Sequence, residues 1–201
     1  MRWLGQAAAA FALFFVSFTL PLGFLVLTTE WYDFNCQFHT RCERFGKAEL
    51  MAHAEQLPRY FLHLAELEGR WSLTERLHMA DVRRIYDSVA LLALVALTVC
   101  GLVLKKRPEW FGRVALWNVF ISLGLLAILP VFGYFWKHIF HAVLFTNEYW
   151  KTSRADVRWY LMPRVYFRNA FILMVAAAAL INLTVYFAWR LWPAKKQIGR
   201  A

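Results

Sequence analysis

Long apolar stretches alternate along this chain with stretches rich in charge. Four apolar runs stand out, at residues 7–27, 88–104, 114–136 and 170–192, and Arg190 alone interrupts the last. A helix needs about 20 apolar residues to cross a ~30 Å hydrocarbon core, so each run predicts a transmembrane helix. The second run is short, but helical periodicity reaches back through Val89, Ile85, Val82 and Leu77, which starts its helix well before the membrane. Aromatic residues flank the runs: Trp31, Tyr32, Tyr86, Trp110, Tyr134, Trp136, Trp189 and Trp192. This is the belt expected at a membrane interface. The pattern predicts an all-α integral membrane protein, one membrane domain over residues 1–201. It has four transmembrane helices and two helical extracytoplasmic loops, 28–87 and 137–169.

Between the runs the pattern is finer. Residues 47–67 place Leu50, Met51, Leu57, Phe61, Leu64 and Leu67 on one helical face, with Pro58 as a break. Such a segment lies at the interface or caps the bundle. Ser72-Leu73-Thr74-Glu75 has the form of a capping box, a serine followed three residues later by a glutamate, and predicts a helix start there. His78 and Asp81 follow on one side of that helix, where the carboxylate could hold the imidazole. Read alone, the pair is better taken as a surface ion pair at a helix start. His138 and His141 are three apart and are expected as helical neighbours.

Composition agrees with the membrane reading: 60% of residues are hydrophobic and 18% aromatic, above a soluble domain's usual share. Charge sets the expected direction. Arg2, the connector residues Lys105, Lys106, Arg107 and Arg113, and the tail residues Lys195, Lys196 and Arg200 should face the cytoplasm. The first loop offsets eight basic residues with ten acidic ones, while the second holds six against two. The expected topology is multi-pass, N-in and C-in, with both loops outside. Much of the +10 formal charge then sits at membrane-facing ends, which argues against nucleic acid as a partner. After Leu27 comes Thr28-Thr29-Glu30-Trp31, not a small-residue cleavage site, so the first run is expected to stay as an anchor kinked at Pro21.

All six histidines fall in the two loops: His39, His53, His63 and His78 in the first, His138 and His141 in the second. Imidazoles gathered on one face suggest acid–base chemistry or metal binding. His-x-x-His lacks the glutamate of the zinc-protease pattern and has no third ligand beside it. Cys36 and Cys42 are close enough in sequence to close a small loop if oxidised, or they are two free thiols; Cys100 belongs to span packing.

Two segments together resemble the lipoprotein intramolecular transacylase family of bacterial membrane proteins. The first is Glu75-x-x-His78-Met79-x-Asp81-Val82, before the second span. The second is Phe140-His141, then Phe145, Asn147-x-x-Trp150, Asp156 and Pro163-x-x-Tyr166-Phe167, before the fourth. The order of spans and loops agrees as well. Val157 is followed by Arg158 and Trp159, where the family usually has aliphatic residues.

The resemblance implies transfer of an acyl chain from the diacylglyceryl group of a lipoprotein to the α-amine of its N-terminal cysteine, giving the lyso-form. It implies a bacterial cytoplasmic (inner) membrane enzyme with its active site on the outer face, and no cofactor or metal. The partners it implies are a diacylated lipoprotein N-terminus and membrane lipids. His78 and His141 would be catalytic. Asp81, Asn147, Trp150 and Asp156 would bind substrate or support them. The reaction is aminolysis of an ester. The amine must lose a proton and the leaving oxygen must gain one, and imidazole does either near neutral pH. Activity should fall as pH drops below the histidine pKa values. Two other readings keep the histidines: another lipid acyltransferase or esterase, and a metal-binding accessory protein using the outer histidines, in which His39, Cys36 and Cys42 matter as much as His78. A transporter fits less well, because the spans hold almost no ionisable group beside polar Asn118, Ser122, Asn182 and Thr184.

Overall fold

The computed structural model describes residues 2–191. Trp192, Lys195, Lys196 and Arg200 lie outside the described residues. The chain runs α1 (Arg2–Leu27), α2 (Glu30–Cys36), α3 (Arg41–Phe45), α4 (Lys47–Ala54), α5 (Gln56–Phe61), α6 (Leu73–Lys106) and α7 (Glu109–Gly124). A 3₁₀ segment (Leu125–Val131), α8 (Phe132–Tyr134), a π-helical turn (Phe135–Phe140), α9 (His141–Leu144), α10 (Val157–Leu161) and α11 (Arg164–Leu191) follow. No strand occurs among the described residues. Four helical stretches are long and apolar enough to cross a membrane: Trp3–Leu27, Leu73–Lys106, Glu109–Leu144 and Arg164–Leu191. The third is not the uniform helix its apolar run suggests. Pro130 has no N–H to donate to the preceding turn, and the backbone tightens to 3₁₀ around it before loosening into the π turn.

Packing divides the chain into two units. Among the described residues, one falls within 1–21, 90–126 and 174–201, and the other within 22–89 and 127–173. In the first, Leu13, Phe111, Val114 and Ala115 form a buried cluster, and Ala12, Val16 and Ala96 form another, with Cys100 against both. Cys100 is a packing residue, as expected. Asn118 is buried and donates to the Ala10 carbonyl at 3.0 Å, satisfying a polar group that apolar surroundings would penalise. Leu91, Leu92, Leu94, Val95 and Leu97 of α6 are exposed, a surface suited to lipid and costly in water.

The second unit holds the loops. Leu50, Leu57, Phe61 and Leu67 are buried as one face, while Leu64 stays exposed. Pro58 falls in the first turn of α5, where its missing N–H costs nothing, so the break comes earlier, at Glu55. Trp31 and Tyr32 are buried and not part of an interfacial belt. Tyr32 stacks on Tyr166 at 5.2 Å, and Trp31 meets the same ring at 6.2 Å, so these aromatics build the loop core. Cys36 and Cys42 form a disulfide with Cα atoms 5.6 Å apart. Beside it, Arg41 lies over the Trp159 ring at 3.6 Å and donates to the Trp159 carbonyl at 2.7 Å, which ties α3 to α10.

Candidate active site

The site grows from the first turn of α6, within the second unit. The Glu75 N–H donates to Ser72 Oγ at 3.2 Å, and the Ser72 N–H donates to Glu75 Oε2 at 2.9 Å. This is the reciprocal capping box that the sequence predicts. Glu75 is fully buried, and its other oxygen reaches across the fold: Oε1 accepts the backbone N–H of Arg158 at 2.7 Å and lies 3.8 Å from Arg158 Nε. Asp156 joins the same knot. Its Oδ1 accepts from Ser72 Oγ at 3.1 Å, and its Oδ2 accepts the Ser153 N–H at 2.6 Å. Arg158 in turn donates to the Tyr149 carbonyl at 2.9 Å, which fixes the loop carrying Trp150. Burial holds the Arg158 guanidinium below its ordinary range, opposed by Glu75 and Asp156.

One helical turn after Glu75, His78 is buried, with its ring 4.8 Å from Phe145. Its Nδ1 is shielded and has no hydrogen-bond partner. The His141 ring faces it with centroids 6.5 Å apart and planes 22° from parallel. His141 follows directly on the π turn, a feature often found at functional positions. His141 Nδ1 is 2.6 Å from the Trp136 carbonyl. A carbonyl only accepts, so the neutral ring carries its proton on Nδ1 and its lone pair on Nε2. Trp150 at 4.5 Å, Trp136 at 5.0 Å, Phe140 at 5.5 Å and Phe145 at 5.7 Å wall the ring. Burial above all, and then the charge of Arg158, disfavours protonation of both imidazoles, and the bond to the Trp136 carbonyl opposes this at His141. The arrangement offers one fixed proton acceptor and a second imidazole within reach of the same reacting carbonyl, behind an aromatic wall that excludes water.

Two sequence expectations change here. Asp81 does not hold His78: its Oδ2 accepts from Asn147 Nδ2 at 2.9 Å, and its Oδ1 pairs with Arg84. The carboxylate anchors the second loop through Asn147, whose Oδ1 also accepts the Tyr149 N–H at 3.1 Å. His138 is not a partner of His141. The π turn widens the helix, and His138 is exposed against Tyr134 at 5.0 Å while His141 is buried. The other histidines lie in separate settings. His63 pairs with Asp87 at 3.1 Å, His53 is buried between Phe45 and Trp71, and His39 accepts the Arg41 N–H at 3.3 Å. Among the described residues no group of three or more His, Cys, Asp or Glu could hold a metal, and Cys36 and Cys42 are bonded to each other.

The model of a family described as lipoprotein intramolecular transacylase (Lit) matches residues 7–167. The chain belongs to the lipoprotein intramolecular transacylase family. Its fold is similar to the solved transacylase of Bacillus cereus, with a TM-score of 0.84 at 18% identity over 98% of each chain. It is also similar to two histidine variants of that protein. The histidine-to-arginine form gives a TM-score of 0.80 at 20% identity, covering 100% of this chain and 95% of the other. The histidine-to-alanine form gives 0.80 at 20%, covering 98% and 96%. No curated protein matches the chain. Membership makes this four-helix membrane protein an acyltransferase.

The amino-acid sequence gives no sign that Glu75 and Arg158 together support this candidate site. Glu75 stood inside the motif with a helix-capping role that fully accounted for it. Arg158 showed only as a charge where the family usually has an aliphatic residue.

Proposed function

We propose that this protein moves an acyl chain from the diacylglyceryl group of a lipoprotein to the α-amine of its N-terminal cysteine, with His141 and His78 at the reacting ester. The observation that carries this reading is the buried imidazole pair at 6.5 Å, with one ring's tautomer set by a backbone carbonyl. His141 Nε2 takes the proton from the substrate ammonium. The resulting imidazolium keeps its Nδ1–H bond to the Trp136 carbonyl and lies against the Trp150 face, both of which favour positive charge. His78 is buried without an acceptor to support a charged ring and faces Arg158, which suits a neutral imidazole that takes the second proton from the attacking nitrogen and passes it to the leaving glycerol oxygen. Asn147 keeps an amide N–H beyond its bond to Asp81, a donor available to the developing oxyanion. Attacking amine and ester belong to one molecule, so positioning supplies much of the rate. The aromatic wall around His141 favours the tethered amine over water, which argues for transfer over hydrolysis.

The protein works in the bacterial cytoplasmic membrane, N-in and C-in, with spans at about residues 7–27, 88–104, 114–136 and 170–192 and the site on the outer face. The Cys36–Cys42 disulfide supports that side for the first loop, because such bonds persist outside the reducing cytosol.

The test is tandem mass spectrometry of a lipoprotein's N-terminal lipopeptide from a host lacking other N-acylating enzymes. Transfer within one molecule leaves intact mass unchanged, so fragments must locate the chain. Expression of the wild type should place it on nitrogen. A chain that stays on glycerol in the presence of folded, inserted protein would refute the reading for that lipoprotein.

A further inference from the structure

We propose that the first unit carries a binding site for the phosphate of an anionic membrane phospholipid. A cavity of about 350 Å³ is lined by Gln6 of α1, Arg107, Glu109, Trp110, Arg113 and Trp189 of α11. It plays no part in the acyl-transfer chemistry, and every lining residue lies within that one unit.

Three observations assign the ligand. First, the cavity offers guanidinium donors. Arg113 has no ion pair or side-chain hydrogen bond among the described residues. Arg107 meets Glu109 only at 3.8 Å, beyond hydrogen-bond range, with both side chains 55% exposed. A guanidinium fork suits phosphate oxygens, which it binds through two parallel N–H bonds. Second, the walls are shaped by glycine. A Cβ on Gly5 would come within 2.8 Å of the Trp110 ring, and one on Gly112 within 2.1 Å of the Trp189 ring. The two indoles therefore occupy the space that side chains at those positions would fill. Third, the cavity sits where α6 ends in Lys105 and Lys106 and α7 begins, at the limit of two apolar stretches. Indoles prefer headgroup depth, and basic pockets between spans take acidic headgroups. A phosphate oxyanion is the shared chemistry of a lipid headgroup and of free inorganic phosphate. The tryptophan walls and the neighbouring apolar helix surfaces give acyl chains a place to lie, which favours the lipid.

The full chain, purified in neutral detergent, would be titrated with phosphatidylglycerol or with phosphatidylcholine of the same acyl chains and read by native mass spectrometry. The wild type should retain phosphatidylglycerol in preference to phosphatidylcholine. Arg107→Gln/Arg113→Gln should weaken that retention about tenfold or more. Arg44→Gln/Arg59→Gln removes the same charge from the first loop and should leave it unchanged. Equal retention of both lipids, or equal loss in the two double variants, would overturn the site. Displacement of phosphatidylglycerol by millimolar inorganic phosphate would overturn the lipid assignment. Circular dichroism on each variant separates a lost site from a lost fold.

Discussion

Glu75 and Arg158, 83 residues apart in sequence, are joined by a 2.7 Å hydrogen bond from the arginine backbone to a fully buried carboxylate, with the guanidinium Nε 3.8 Å away. Glu75 thus starts the helix that bears His78 and also holds the loop that places Trp150 on His141. Removing one member leaves the other charge buried without compensation, at a cost of about 3–5 kcal/mol. Glu75→Gln should therefore lower the thermal midpoint in detergent and depress transfer. Pairing it with Arg158→Met should recover a large part of the stability. A double variant no more stable than Glu75→Gln would show that the charges do not compensate each other.

The two facing imidazoles should be separately indispensable. His141→Ala and His78→Ala are each expected to reduce transfer about 10²–10⁴-fold, the usual loss on removing a general acid or base. Both variants should keep their helical content by circular dichroism. His138→Ala, three residues from His141 but exposed, should stay within about twofold of the wild type. Equal losses at His138 and His141 would contradict the division that the π turn imposes.

Trp150 lies 4.5 Å from His141 and contributes no hydrogen bond to it. If the ring supports the imidazolium, Trp150→Ala should slow transfer about tenfold, and Trp150→Phe should restore part of that loss. Single-turnover kinetics on a synthetic diacylated lipopeptide would measure both. An alanine variant as fast as the wild type would remove the ring from the mechanism.

Asp81 and Asn147 share a 2.9 Å hydrogen bond between the two loops. Asp81→Ala and Asn147→Ala should each destabilise the protein, and the double variant should cost less than their sum by about 1 kcal/mol. Strict additivity in the thermal midpoints would mean the bond contributes nothing in the membrane protein as purified.

The Cys36–Cys42 disulfide closes a loop with a sequence separation of 6, so its effect on the unfolded chain is small, about 2 kcal/mol. Cys36→Ser/Cys42→Ser should lower the thermal midpoint modestly and retain transfer. Loss of activity without loss of stability would assign the bond a direct role at the site.

The amino-acid sequence carried the spans and the helix start openly, because both are local. Apolar runs of membrane length and a serine followed by a glutamate need no knowledge of distant residues. His78 and His141 stand out through the motifs around them, and the structure brings their rings face to face. Other features depended on partners far away. Asp81 lay on the His78 side of its helix, yet Asn147, 66 positions on, competes for its carboxylate. The buried Glu75–Arg158 tie was hidden because the capping box already gave Glu75 a complete local explanation. Trp31 and Tyr32 matched an interfacial belt by position, and only the packing against Tyr166 draws them inside. His138 and His141 were misjudged as neighbours because sequence spacing assumes an α-helical turn.

Successive residues of an α-helix are set about 100° apart around its axis. A π turn lengthens the path by one residue without changing where the helix goes next. Closing Phe135–Phe140 into ordinary α-helix without removing a residue would swing His141 roughly 100° away from His78, whereas deleting one residue as the turn closes would keep the two rings facing. The meeting of the two rings therefore depends on the wide turn and the residue count together. A change that narrows the turn and keeps every residue separates the imidazoles even though neither histidine is touched.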